Sequence, residues 1–470
     1  MDIQKSIEAY KEGKVSVVEN TKQVLEKIKN DTTNAYIAFD EEDSIKRAEY
    51  LDKKLANNEK LGKLFGIAVA VKDNISYKNM DMTCASNMLK GFRPMFDAKV
   101  IENLLKEDAI IIAKTNMDEF AMGARGKTSV FGPVKNPIDP ERVTGGSSSG
   151  SAAAVSKGDV LVSLGTDTGG SVRGPASYCN ILGYKPSYGM VSRNGVVSMA
   201  NTLDQVSVFA ENIEDLRNIA SIIAGPDEND MTVRLDDYDY SREDYDFEGK
   251  KIAYISTSDF LNKGIEEEVK NDYKIGLDML KNMGAELTEI SLKYSKYANQ
   301  VYNVVMSSEV SSNMSRFDGI RFGHQSETYT SVDELFINSR SEGLGEEVQR
   351  RIALGTMYLS ADDDQRVYRQ GLKLRNLIKK ELESVFEDFD LIITPTTINL
   401  PPFLEDDYSD PLSDFRSDGF NVLVNLAGMC GISLPVRKGI SGACQFIANS
   451  YEDKKLLNAS EEFLRRINEN

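Results

Sequence analysis

The chain has 470 residues, 41% of them hydrophobic and 28% charged, with a formal net charge of −18 at neutral pH and a single histidine, His324. That balance gives enough apolar material for a sizeable core without disulfides. It excludes a chain that by itself grips a nucleic-acid backbone, since phosphate binding needs a basic face, and no run of about 18 apolar residues exists to span a membrane.

A Ser–His–Asp mechanism would have to use His324, which stands in Arg321-Phe322-Gly323-His324-Gln325, far from any serine turn, so a hydrolase built on this chain needs another base. The opening Met1-Asp2-Ile3-Gln4-Lys5 lacks the apolar region of a secretory signal, and a cytoplasmic location is expected. Cys84, Cys179, Cys430 and Cys444 are scattered with no C-x-x-C spacing, and are read as buried free thiols rather than metal ligands.

Residues 2–30 read as an amphipathic helix, with Ile3, Ile7 and Tyr10 followed by Val18, Val24, Leu25 and Ile28 at helical spacing. Phe65 to Val71 is a short apolar run before a polar turn, as in a buried strand; Ala109 to Ala113 and Val160 to Leu164 are two more. Helical patterns lie between them, so the class is α/β. Residues 226–250 are acidic and rich in tyrosine, a surface excursion, and Lys251 to Ile255 resumes a strand. Residues 366–386, with Val367, Leu372, Leu374, Leu377, Ile378 and Leu382, predict a long core-facing helix. Leu391 to Pro395 predicts a strand closed by a proline turn. No repeat or low-complexity linker interrupts the chain. One domain over 1–470 is expected, a helical arm to about residue 60 and a core from about 61.

Three places carry possible chemistry. Lys72, in Val71-Lys72-Asp73-Asn74, stands at the carboxyl end of an apolar strand, where ligands of open α/β sheets gather; taken alone, a lysine at a strand exit reads as a solvated surface charge. Gly145-Gly146-Ser147-Ser148-Ser149-Gly150-Ser151 runs straight into Ala152-Ala153-Ala154-Val155. It is open to three readings: a linker, an anion cradle at a helix start, or a turn presenting a serine hydroxyl. The P-loop Gly-Lys-Ser/Thr ending is missing. In Gly165-Thr166-Asp167-Thr168-Gly169-Gly170-Ser171-Val172-Arg173, two glycines before a serine let backbone amides converge on one point. Such donors stabilise a tetrahedral oxyanion; a plain glycine turn is the other reading.

Together these segments resemble the amidase signature family. The block from Gly145 to Gln205 carries the likeness, with Gly183-Tyr184-Lys185-Pro186, Tyr188-Gly189 and Leu203-Asp204-Gln205, and Lys72 lies upstream at the family's distance. The resemblance implies a large mixed, mostly parallel twisted sheet covered by helices on both faces. It also implies a Ser–cis-Ser–Lys triad: Ser171 as nucleophile, Ser147 as the bridging serine at a cis peptide, Lys72 as base. The amides of Thr168, Gly169, Gly170 and Ser171 would form the oxyanion hole. Burial lowers a lysine pKa by disfavouring its charged form, which is what a neutral lysine base requires.

Within the family the chain is most similar to the glutaminase A subunits of the tRNA-dependent amidotransferases. Lys114-Thr115-Asn116-Met117-Asp118-Glu119-Phe120-Ala121-Met122-Gly123, Arg350-Arg351-Ile352-Ala353-Leu354-Gly355-Thr356 and Val424-Asn425-Leu426-Ala427-Gly428 carry that likeness. It implies that Arg351 holds the α-carboxylate of glutamine and Asp418 its α-ammonium, in a pocket with Tyr302 and Met122. A guanidinium forking onto a carboxylate suits a free amino acid. It further implies amidotransferase B and C subunits as partners and mischarged tRNA held mainly by the B subunit. ATP and Mg²⁺ would be used there, with no cofactor in this chain. The chain departs from those subunits at Ala124-Arg125-Gly126-Lys127, where they carry Ser-Ser-Thr-Glu, and at Ser149 and Ala443-Cys444. The alternative is a free-standing amidase acting on another small amide.

Overall fold

The structure, a computed structural model, describes residues 2–236, 238–255, 264–360, 365–406 and 417–469. Its centre is an eleven-stranded sheet: β1 Tyr36–Ala38, β2 Ala68–Lys72, β3 Ile110–Thr115, β4 Val162–Asp167, β5 Leu182–Lys185, β6 Gln205–Ala210, β7 Lys251–Ile255, β8 Glu286–Ile290, β9 Leu391–Pro395, β10 Cys430–Pro435 and β11 Ala443–Ala448. The spatial order is β1-β3-β2-β4-β6-β5-β10-β11-β9-β7-β8. The α/β class and the large mixed sheet are as expected. The expectation of mostly parallel pairing is corrected: β2–β3, β2–β4, β7–β9 and β7–β8 are parallel, and every other neighbouring pair is antiparallel. Between β10 and β11 only residues 436–442 intervene, too few for the crossover that a parallel neighbour requires.

Side chains alternate across the sheet. On β9, Leu391 and Ile393 join one apolar core while Ile392 joins the other; on β11, Phe446 and Ile447 divide the same way. Helices therefore cover both faces. The expected single helix over 2–30 is two, Ile3–Lys11 and Val17–Lys29. Gly13 takes φ 68° between them, and Ser16 with Glu19 forms a capping box that starts the second. The arm is also part of the sheet, because β1 pairs with β3.

The segment 226–250 is more than a surface excursion. Tyr240 and Phe247 are buried, and the Tyr240 hydroxyl lies 3.3 Å from that of Tyr184; residue 237 lies outside the described residues. The helix Arg366–Val385 buries Ile378 and Leu382 but leaves Leu372 and Leu377 36% and 38% exposed, so its apolar stripe is only half covered. Among the described residues no helix is long and apolar enough to cross a membrane. The four cysteines are buried free thiols.

Candidate active site

The three singled-out segments meet at the carboxyl ends of β2 and β4. Lys72 is the last residue of β2, and the turn Thr168–Ser171 follows β4 directly. Because β2 and β4 are parallel neighbours, the two ends point the same way. The serine-rich segment runs into the helix Ser149–Ser156, and the peptide Gly146–Ser147 is cis.

Lys72 is fully buried, and its Nζ lies 2.7 Å from Ser147 Oγ, 2.9 Å from Ser148 Oγ and 3.0 Å from Thr166 Oγ1. The surface-charge reading of Lys72 is thereby set aside. Burial brings its pKa down to about 7, although the carboxylates of Asp118, Asp167 and Asp204 pull the other way. Ser148 donates to the Thr166 carbonyl at 3.1 Å, and Asn74 Nδ2 donates to Thr166 Oγ1 at 3.1 Å. Ser148, Thr166 and Asn74 were not singled out from the sequence, though all three lie within or beside the motifs that were. Ser147 and Ser171 are drawn together through the backbone, the Ser148 amide donating to the Ser171 carbonyl at 3.2 Å. Among the described residues the Ser147 and Ser171 hydroxyls are not hydrogen-bonded to each other. Hydrogen bonds of this kind commonly tighten only when substrate is bound.

The turn bearing Ser171 is held by a buried ion pair. Arg173 places Nη2 2.8 Å from Asp167 Oδ1 and Nε 3.0 Å from Oδ2. Its remaining donors reach Asn425 Oδ1 at 2.6 Å, Gln445 Oε1 at 2.6 Å and the Asn421 carbonyl at 3.1 Å. Burial alone would raise Asp167, but the charge of Arg173 outweighs it and holds the carboxyl well below its usual range. The same carboxylate accepts the Gly170 amide at 2.9 Å. This corrects the expected oxyanion hole, since the Gly170 N–H is already engaged. Among the described residues the amides of Thr168, Gly169 and Ser171 donate to no acceptor. The Thr168 hydroxyl is anchored on Asp204 at 2.7 Å, whose carboxyl burial pushes up to about 6. Arg173→Met would leave Asp167 as an uncompensated buried charge, a loss of about 3–5 kcal/mol. Chemical denaturation checks this, and a variant as stable as wild type would contradict it.

Ser171 opens onto a narrow cleft lined also by Gly169, Ala124, Tyr302, Arg351 and Asp418. Ser147 and Lys72 are buried and do not line it. A Cβ on Gly169 would fall 2.5 Å from the Tyr302 ring, so the ring packs directly on the turn. Arg351 comes from the helix Glu346–Ser360 and is 5% exposed, with Nε 2.6 Å from Glu347 Oε1. Asp418 stands at the N-cap position of the helix Gly419–Ala427, without a side-chain capping bond. Of the expected pocket residues only Met122 is misplaced. Its side chain is buried in the apolar core, and its neighbours Ala121, Gly123 and Ala124 face the cleft instead. The departing loop Ala124–Lys127 is organised by Asp118, which accepts the amides of Gly126 at 3.0 Å and Lys127 at 2.9 Å. His324 takes no part; its Nε2 lies 2.8 Å from Glu342.

The family model for amidases matches residues 19–457. The chain is 42% identical to the A subunit of the glutamyl-tRNA(Gln) amidotransferase of Staphylococcus epidermidis, over 99% of this chain and 97% of that one. It is 41% identical to that of Staphylococcus aureus over 97% and 95%. The crystal structure of the corresponding A subunit from Thermotoga maritima superposes with a TM-score of 0.79 at 35% identity, covering 95% of this chain and 92% of that one. A bacterial aryl acylamidase shares the fold at TM-score 0.86 and 21% identity, covering 99% of this chain and 96% of that one. The chain belongs to the amidase family, alongside the A subunits of the glutamyl-tRNA(Gln) amidotransferases.

Proposed function

We propose that this chain is the glutaminase component of a tRNA-dependent amidotransferase, releasing ammonia from glutamine through an acyl-enzyme on Ser171. The observation that carries the chemistry is the coordination of Lys72. Ser148 spends its own proton on the Thr166 carbonyl, so it accepts from Lys72; Thr166 Oγ1 accepts from Asn74 and has a second lone pair for Lys72. A neutral amine has two N–H bonds, for which Ser148 Oγ at 2.9 Å and Thr166 Oγ1 at 3.0 Å are nearer acceptors than the Thr166 carbonyl at 3.4 Å. Its lone pair is left for the Ser147 proton. Ser147 then takes the proton of Ser171 as Ser171 Oγ attacks the amide carbon. The oxyanion forms among the amides of Thr168, Gly169 and Ser171, where each such donor is typically worth about 100- to 1000-fold. The proton returns through Ser147 to the leaving nitrogen, ammonia departs, and water cleaves the ester by the same relay.

The cleft supports an amino-acid substrate. A buried guanidinium at Arg351 and a carboxylate at Asp418 line the same space as the nucleophile, complementary to the α-carboxylate and α-ammonium of glutamine. Near-full-length similarity to amidotransferase A subunits favours this reading over a free-standing amidase. On this reading the chain works in the cytoplasm with B and C subunits, the B subunit holding mischarged tRNA and consuming ATP with Mg²⁺. The acidic net charge of −18 fits a division of labour in which another chain holds the nucleic acid.

Arg351→Ala should raise KM for glutamine about 30-fold or more, since removing one partner of a desolvated charge pair commonly costs about 2–5 kcal/mol. Its effect on a plain aliphatic amide, which has no α-carboxylate, should be far smaller. Steady-state kinetics on glutamine, asparagine and the plain amide make the comparison. A wild-type preference for the plain amide, or an arginine irrelevant to glutamine, would favour the free-standing amidase.

A further inference from the structure

One buried acid beside the site has no part in the chemistry above. Glu119 is 4% exposed and follows Asp118, whose amide donates to the Ser147 carbonyl at 3.1 Å. Its carboxylate accepts the Ser86 hydroxyl at 2.5 Å and the Gly345 amide at 2.9 Å. Gly345 immediately precedes the helix Glu346–Ser360, which carries Arg351. A Cβ on Gly345 would fall 2.3 Å from Glu119 Oε2, so glycine is what permits this approach. Ser86 also reaches the Gly343 carbonyl at 3.1 Å, holding the same turn at a second point.

On the other side of Glu119 the backbone enters the cleft wall. Phe120 and Ala121 take φ of 49° and 63°, a left-handed conformation uncommon for residues with side chains. Such geometry persists where the surroundings over-determine it, and it clusters at functional sites. Ala121 and Gly123 then line the cleft. Residues 118 and 119 thus join the bridging serine, through Asp118 N–H, to the start of the arginine helix, through the Glu119 carboxylate.

We propose that Glu119 is a positioning residue that sets where Arg351 stands relative to Ser171, and so determines specificity for amides bearing an α-carboxylate. The proposal rests on the reading of Arg351 as the carboxylate clamp. A reagent that meets only Ser171 does not depend on this joint; a substrate that spans from Ser171 to Arg351 does. Burial pushes the Glu119 carboxyl up to about 7 against the pull of its hydrogen bonds to Ser86 and Gly345.

Glu119→Ala should raise KM for glutamine about tenfold or more, which is about 1.4 kcal/mol of lost binding. The rate at which a small sulfonyl fluoride, with no α-carboxylate, labels Ser171 should stay within about threefold of wild type, a change of under about 1 kcal/mol. Glu119→Gln should restore most of the glutamine affinity, since its carbonyl accepts from Gly345 and its amide donates to Ser86, whose proton then turns to the Gly343 carbonyl. Gly345→Ala disturbs the joint from the helix side, and the same split is expected there should Glu119→Ala fail to fold. Parallel loss of glutamine turnover and Ser171 labelling, or an unchanged glutamine KM in both folded variants, would overturn the proposal. Arg351→Ala is measured beside them. If it raises the glutamine KM and the joint variants do not, the positioning role fails and the clamp stands. If it leaves glutamine binding untouched, the clamp itself fails.

Discussion

Ser171→Ala is expected to abolish amide hydrolysis while leaving the protein folded. The change deletes one hydroxyl that lines the cleft and disturbs none of the bonds that Asp167 and Arg173 make to the turn. The loss should approach the roughly 10⁶-fold seen when the nucleophile of a serine hydrolase is removed. Turnover of glutamine and the thermal midpoint are measured on the same preparation. A folded alanine variant with wild-type turnover would remove Ser171 from the mechanism.

Lys72→Met should lose about 10²–10⁴-fold in turnover, the range that general-base catalysis supplies. Lys72→Arg should not recover it, because a guanidinium stays protonated at any working pH. In wild type the amine works only when neutral, so activity should fall as the pH drops through about 7, the value to which burial brings Lys72. The stability consequence has a definite sign. The folded value is about 7 and the ordinary one 10.5, so between those limits the unfolded chain binds more protons and wild type gains stability as pH rises. Lys72→Met lacks that slope. It should therefore be at least as stable as wild type below pH 7, and lose that standing towards pH 10. Denaturation at several pH values reads this directly, and parallel profiles for the two proteins would contradict a depressed lysine.

The parts of this protein that are legible in the sequence are those whose physics is local. The strands β2, β3, β4, β7 and β9 announce themselves as short apolar runs. The strands β5, β6, β10 and β11 do not, because they carry buried polar residues such as Gln205, Ser207, Ser433 and Gln445. Gln445 is in the interior because it accepts from Arg173 at 2.6 Å and donates to Thr394 at 2.9 Å; both partners are far away in the chain. The same holds for the site. Ser171 and Ser147 were singled out because glycine-rich turns surround them, and Lys72 because it ends an apolar strand. The engagement of Gly170 by Asp167 was not visible, since it depends on which way one amide turns within the motif. Nor was the turning of Met122 into the core, which follows from the left-handed backbone at Phe120 and Ala121. The role of Glu119 was hidden for a third reason: its partner Gly345 lies more than two hundred residues onward.

The central claim is that glutamine is opened by Ser171 with Arg351 holding its far end. It is tested most directly by a glutamine analogue that carries an electrophile in place of the amide. After incubation and digestion, mass spectrometry should find the adduct on the peptide containing Ser171. Free glutamine should protect against labelling, and Arg351→Ala should slow it. An adduct on another residue, or labelling of Ser171 that glutamine does not slow, would contradict the account.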